Sequence, residues 1–211
     1  MEQVNQDAKI LDVRPVTLTG RVVRLEPLSV KHIADLVTAA QDPHIWEYMV
    51  YGYLGNEEAM RAWVEMLLRW QAQGTDLPFA VIHLGSNRAI GGTRYLEIRP
   101  AHRGLEIGGT WYTPAYQRTA VNTECKYLLL SHAFNQLGCV RVQFKTDARN
   151  LRSQAAIERI GAVKEGVLRQ HMYTPAGYLR DSVYYSILDR EWPAVKNRLE
   201  DQLYSTTINP M

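Results

Sequence analysis

The sequence predicts an α+β domain: a mixed, mostly antiparallel sheet of about seven strands, one of them bulged, flanked by helices. Three observations carry this reading. Short runs of strand character occur seven times along the 211 residues. Helical patterns interrupt them in the order β-αα-βββ-α-β-α-ββ-α, and most neighbouring strands are joined by short turns. A glycine pair, Gly108-Gly109, sits inside a strand-like run, where glycine signals a bulge or a close backbone approach.

The elements follow in order. Residues 1–17 are polar and irregular and are expected to form a loose arm; residues 18–211 form one domain. "GRVVRLEPL" alternates as a strand does, with Val23 and Leu25 on one side. Ser29 is an N-cap candidate for a helix with Val30, Ile33, Leu36 and Val37 at helical spacing, broken by Asp42-Pro43. Asn56 caps a longer helix whose apolar face carries Met60, Trp63, Leu67 and Trp70, ended by Gly74. "FAVIHL", "GGTRYLEI" and "LEIGGTWY" follow as strands, turned at "GSNR" and "RPAHRG". A helix from about Val121 to Leu137 leads to the strand "VRVQFKT". The short helix "RSQAAIERIG" places Ala156, Ile157 and Ile160 on one side. Two strands flank the turn "TPAG", and a last helix starts near Asp189.

Composition excludes several classes. The net charge of +2 is mixed along the chain, without the basic block of a nucleic-acid binder. No apolar run suits a membrane span, and the N-terminus lacks a signal-peptide core. The two cysteines, Cys125 and Cys139, lack metal-ligand spacing, and so few thiols fit a reducing compartment. A cytoplasmic protein is expected.

The informative stretch is "EIGGTWYTPAYQRTAVNTECKYLLLSHAF". A strand runs through a polar loop into a helix start, where unpaired N–H groups and the helix dipole favour an anion. Gln117, Arg118, Thr119, Asn122 and Thr123 supply charge and donors. An ordinary capped helix with a surface arginine is the competing reading. Neither a P-loop nor a dinucleotide-binding glycine pattern is present.

The segment "EIGGTWYTPAYQRTAVNTE" resembles the acyl-CoA-binding core of the GNAT acetyltransferase superfamily: bulged strand, pyrophosphate loop of Gln/Arg-x-x-Gly-x-Gly/Ala type, helix. "NLRSQAAIERIGA" resembles the second part of that signature. "SVYYSILDREWP" is similar to the closing strand of the branch that acetylates ribosomal-protein N-termini. The likeness extends from about Leu18 to Trp192. It implies an acetyl-CoA-dependent N-acetyltransferase, acting on a primary amine by direct transfer in a ternary complex. The loop departs from the pattern, since Ala120 and Asn122 stand where small glycine-type residues are usual. A non-catalytic CoA-binding or sensor protein, and a module that no longer binds CoA, are therefore the alternatives.

The resemblance assigns roles residue by residue. Trp111, Tyr112, Thr113, Gln117, Arg118, Thr119, Ala120, Val121, Asn122, Thr123 and Asn150 face the cofactor, with N–H groups of Trp111 to Thr113 receiving the oxyanion. Glu106, before the glycine pair, is the candidate general base, expected partly buried beside Trp and Tyr; a solvent-facing strand carboxylate is the alternative. Glu97 and His102 are weaker candidates. Many relatives carry a tyrosine acid seven residues after the Asn, but here that residue is Ile157. Ser153 is left to assist the thiolate, or simply to cap its helix. No histidine triad exists, and Cys125 is expected to pack. The aromatic stretch "HIWEYMVYGYLG" borders the acceptor side, with Trp46 read as packing. The acceptor is a small-molecule amine or a protein N-terminus. A homodimer is compatible with apolar faces at Leu128, Leu129 and the C-terminal strand.

Overall fold

The computed structural model describes residues 10–205. Its strands are β1 (Leu18–Thr19), β2 (Val23–Pro27), β3 (Leu77–His83), β4 (Arg88–Arg99), β5 (Gly104–Tyr112), β6 (Arg141–Asp147), β7 (Val163–Tyr173) and β8 (Leu179–Leu188). Its helices are α1 (Ile33–Ala39), α2 (Glu57–Ala72), α3 (Ala120–Ser131), α4 (Leu151–Arg159) and α5 (Trp192–Tyr204). One sheet runs β1-β2-β3-β4-β5-β6-β8-β7. Every pair is antiparallel except β5 with β6.

Strand alternation divides the apolar side chains between two cores. Phe79 and Val81 of β3 join Val121, Cys125 and Leu129 of α3, Ile157 of α4 and Leu199 of α5. Ala80 and Ile82 face the other way, onto Leu36 of α1 and Met60, Trp63 and Leu67 of α2. The first three predicted apolar positions of α2 are buried, and Asn56 caps it by accepting the Ala59 N–H at 2.8 Å.

Four expectations change. The sheet has an eighth strand, β1, whose two residues are too few to show any periodicity. Part of the expected arm is anchored, because Leu11 is buried in the α3-side core; residues 1–9 of it lie outside the described residues. The last helix begins at Trp192 rather than Asp189. The apolar faces proposed for pairing two copies are not available as read. Leu129 is fully buried, and β8 lies inside the sheet between β6 and β7. The edge strand β7 carries the largest group of exposed apolar side chains, Val163, Val167, Leu168 and Tyr173, and Leu179 at the start of β8 adjoins it.

One buried carboxylate fixes α3 to the start of the sheet. Glu124 accepts the backbone N–H groups of Arg21, Val22 and Val23 at 2.8, 2.7 and 2.8 Å. It is 1% exposed. A Cβ on Gly20 would sit 2.4 Å from its carboxyl carbon, so the turn closes over it only with glycine. Removing Glu124 strands three donors that the fold has taken from water. Glu124→Ala is expected to lower unfolding free energy in urea by about 3 kcal/mol or more, each orphaned donor contributing about 1–3 kcal/mol. A loss under about 1 kcal/mol would show that water reaches these groups.

Candidate active site

The site begins with a fault in the sheet. Gly92 pairs with Trp111 and Arg94 with Gly108, so Gly109 and Thr110 together oppose Thr93. This is the bulge anticipated at the glycine pair. Gly109 has φ +58°, and a Cβ there would lie 2.8 Å from the Tyr51 hydroxyl and 3.2 Å from Arg94 Nε. Both the backbone angle and the space demand glycine.

Beside the bulge the sheet opens. β5 and β6 pair only through Gly104–Arg141, Leu105–Val142 and Glu106–Gln143. Beyond these, β5 stays with β4 and β6 stays with β8. The wedge between them is part of a cavity of about 780 Å³, closed by the starts of α3 and α4. Glu106, at the last pair, lines it.

Glu106 is 2% exposed, so the solvent-facing alternative does not hold. Its Oε2 accepts from Gln143 Nε2 at 2.9 Å, and Lys145 Nζ lies 3.8 Å away. Burial raises the proton affinity of this carboxyl above the ordinary range, while Lys145 and Gln143 pull it partly back. The surroundings differ from the expected Trp and Tyr, because the nearest partners are polar groups of β6. Glu97 also borders the cavity but is exposed, in a second irregularity of β4 at φ +49°. His102 is exposed on a short 3-10 turn away from it.

The loop before α3 is shaped by its side chains. Thr119 caps the helix, accepting from Val121 N at 3.3 Å and donating to Tyr116 O at 2.7 Å. Gln117 donates to Tyr112 O at 3.0 Å and accepts from Arg152 at 2.9 Å, which ties the loop to the start of α4. The left-handed residue is Arg118, at φ +59°. Ala120 and Asn122 belong to the first turn of α3, so no positive φ is asked of Asn122. Its side chain accepts instead from the Tyr112 hydroxyl at 3.3 Å.

The predicted cofactor residues thus divide. Trp111, Tyr112, Gln117, Arg118, Thr119, Asn122 and Asn150 line the cavity, as do Glu106 and Ser153. Thr113, Ala120, Val121 and Thr123 do not. Val121 is core, Ala120 is exposed, and Thr123 accepts from Arg159 at 2.9 Å. Thr113 N is spent on Ile90 O at 2.9 Å, which removes one expected oxyanion donor. Antiparallel alternation then pairs Trp111 with Gly92 and turns the Tyr112 N–H away from β4, toward the opening.

At α4 the cap is Asn150, whose Oδ1 accepts from Ser153 N at 3.0 Å. Ser153 therefore stands in the first turn and is not the N-cap. Ile157 is buried in the helix–sheet core and also borders the cavity. Cys125 is fully buried, and burial pushes its thiol up to about 12, as a packing residue requires. On the opposite side, Tyr48, Met49, Val50 and Tyr51 line the cavity. Trp46 packs, donating to Ala40 O at 3.0 Å and lying 5.0 Å from the Trp111 ring.

Several cavity residues escaped the sequence reading. Arg94 is 6% exposed, lies between the Tyr51 and Trp70 rings, and has Asp76 at 3.2 Å. Lys126 is 6% exposed, donates to Thr110 Oγ1 at 2.7 Å, and burial pushes its ammonium down to about 8. Lys126 follows Asn122 by four residues on a helix already assigned to the site, and that spacing was the available signal.

A family model for the acetyltransferase (GNAT) domain matches residues 23–163. The chain is 28% identical over 174 residues to the "Putative ribosomal N-acetyltransferase YdaF" of Bacillus subtilis (strain 168), covering 82% of this chain and 92% of that protein. A GCN5-related N-acetyltransferase from Brucella melitensis has a crystal structure with TM-score 0.88 at 29% identity, covering 95% of this chain and 91% of that one. Mycobacterium smegmatis RimJ, solved in complex with CoA-disulfide, shares the fold at TM-score 0.77 and 22% identity, over 89% and 95% of the two chains. The family model spans well over half of the sequence, and the chain belongs to the GNAT family of acetyltransferases.

Proposed function

We propose that this acetyltransferase moves an acetyl group from acetyl-CoA to a primary amine by direct transfer in a ternary complex, with Glu106 as general base. The observation that carries the reading is a buried carboxylate of raised proton affinity at the last β5–β6 pair, inside the cavity. A protein N-terminus is the favoured acceptor class, because the Bacillus subtilis relative is named for ribosomal acetylation.

The residues present fit acetyl-CoA. Past Glu106 and Gln143 the facing edges of β5 and β6 carry no ladder to each other. They can serve the amide groups of a pantetheine arm. Arg118 and the Thr119-capped start of α3 suit a pyrophosphate. The acetyl thioester supplies an activated carbonyl and a good leaving group. Glu106 takes the proton that the attacking amine loses. The Tyr112 N–H faces the opening, where developing negative charge would be received; such a donor is worth roughly 3 kcal/mol in a transition state. Asn150 fixes the first turn of α4 and so positions the Ser153 hydroxyl at the cavity.

Glu106→Gln keeps shape and removes basicity. It should lower kcat by roughly 100-fold or more in a CoA-release assay with an amine panel. The sign of the pH dependence follows from the raised carboxyl: wild-type activity rises with pH as Glu106 ionises, above the usual carboxylate range. The deficit of the variant should shrink at high pH, where free amine is abundant. An equal defect at neutral and alkaline pH, or an effect on KM alone, would reduce Glu106 to positioning and pass the role to Glu97 or a water chain. Acetyl-CoA binding without turnover of any amine would favour the non-catalytic alternative.

Arg118→Ala should weaken CoA binding in calorimetry by about 1.5 kcal/mol, close to tenfold in Kd. The loss should be equal for CoA and dephospho-CoA. If the variant binds dephospho-CoA as tightly as wild type does, Arg118 serves the 3′-phosphate instead of the pyrophosphate.

A further inference from the structure

Lys126 is a buried charge in the cavity for which the mechanism above has no use. Its ammonium donates to Thr110 Oγ1, and Thr110 shares a 2.8 Å hydrogen bond with Thr93 across the bulge. Among the described residues no carboxylate lies within ion-pair distance of it. Two neighbouring cavity cations do have a counter-charge, Lys145 with Glu106 and Arg94 with Asp76, whereas the buried Arg180, like Lys126, has only a hydroxyl, that of Ser182 at 3.0 Å. A buried, uncompensated ammonium is energetically unfavourable, and a ligand that brings negative charge relieves it.

The position limits which negative charge that is. Lys126 lies six residues beyond Ala120, about 9 Å along the helix from its first turn. The pyrophosphate end of a cofactor belongs at that first turn. Lys126 instead reaches the bulge, where the strands part. Two negative charges arise during acyl transfer from a thioester, one on the carbonyl oxygen, assigned above to the Tyr112 N–H, and one on the departing sulfur, which is left for Lys126.

We propose that the Lys126 ammonium meets the departing sulfur of the acyl thioester and returns a proton to it; this rests on the acetyl-CoA reading given above. The step balances without any further reactant. The neutral amine forms the C–N bond and gives its surplus proton to Glu106. The C–S bond breaks with its electron pair on sulfur, and Lys126 supplies the proton that makes the thiol. A proton returns from Glu106 to Lys126 through solvent, which restores both groups. Ser153 remains a hydrogen-bond donor to the same sulfur, a task that needs no proton to leave it. Ile157 occupies the place where a phenol acid would otherwise be sought.

The electrostatics agree with the geometry. Burial has brought Lys126 down to about 8, well below an ordinary lysine and slightly below the reference value of a cysteine thiol, about 8.5. An ammonium so weakened gives its proton more readily to a thiolate than an ordinary lysine does. Ionisable groups on the elements around it include Cys125 and Tyr112, both pushed up by burial, Glu124 on the same helix, whose carboxylate is held by the N–H groups of Arg21, Val22 and Val23, Glu106 with Lys145, and the guanidinium groups of Arg94, Arg159 and Arg180.

The test reads the thiol itself. CoA bound to the full-length enzyme is titrated by thiolate absorbance, with the desulfo-CoA complex as the blank for tyrosine. In the wild type the bound thiol should ionise at least about one pH unit below free CoA, the shift expected of a nearby opposite charge. Lys126→Arg should keep that shift, and Lys126→Met should abolish it. In the wild type, NMR of ε-carbon-labelled lysine should show Lys126 titrating higher with CoA than with desulfo-CoA, a readout that needs no variant to fold. Equal thiol titration in wild type and Lys126→Met, or a Lys126 resonance indifferent to the sulfur, overturns the proposal. The same holds if acetylated Lys126 accumulates with acetyl-CoA, because the lysine is then an acceptor. Calorimetry on these samples separates the two levels: no CoA binding by the wild type sinks the acetyl-CoA reading, whereas binding with an unshifted thiol sinks only this inference.

Discussion

The parallel pairing of β5 with β6 stops after three residues, and the site depends on that stop. A sheet that continued to pair would satisfy every backbone group and leave no room. Here β5 carries one extra residue opposite Thr93, and a bulge bends and twists the strand that holds it. The bend keeps β5 on β4 while β6 follows β8. The starts of α3 and α4 then fall on either side of the gap, because each helix follows one of the parting strands. Glu106, Tyr112 and Asn150 take their places from this divergence.

Glycine is used where that geometry requires it. Gly109 accepts a left-handed φ and leaves space for Tyr51 and Arg94. The loop before α3 solves its own turn differently. Arg118 takes the left-handed conformation, which costs a non-glycine residue about 1–2 kcal/mol. Thr119 and Gln117 hold the loop through Tyr116, Tyr112 and Arg152. The absent glycines at Ala120 and Asn122 therefore leave the backbone path intact, since both residues are helical. What changes is the chemistry at the helix start, where Asn122 adds an amide tied to the Tyr112 hydroxyl.

The periodic parts of the fold were legible in the sequence, and the parts fixed by distant contacts were not. Seven strands and five helices announce themselves through apolar spacing, and the bulge through Gly108-Gly109. β1 is set by a turn closed around Glu124, more than a hundred residues away, so no local pattern marks it. Asn150 and Ser153 are both good capping residues, three apart. The sequence offers either, and the backbone chose Asn150, with Ser153 N as its donor. Glu106 was legible as a candidate because it precedes the glycine pair, yet its burial among polar β6 groups comes from strand order. Lys126 reads locally as a solvated helix lysine. Only the packing of α3 over the bulge makes it a buried charge.

Strand alternation also sorts the charges of the site into two sides. Leu105 and Ile107 point into the core beneath α3, so Glu106 between them points to the other face, toward α1 and α2. Gln143 and Lys145 alternate likewise with Val142 and Phe144 on β6 and join Glu106 on that face. Lys126 approaches from α3, with Arg159 of α4 bonded to the same helix and Arg152 to its preceding loop. Among the described residues none of these three cations on the α3 side has a carboxylate within ion-pair distance. The opposite side pairs its charges instead, Glu106 with Lys145 and Arg94 with Asp76. The two sets of charges come together only in the gap between β5 and β6, where the cavity reaches both faces of the sheet. That arrangement needs no moving part to keep them in order, since the sheet itself separates them everywhere else.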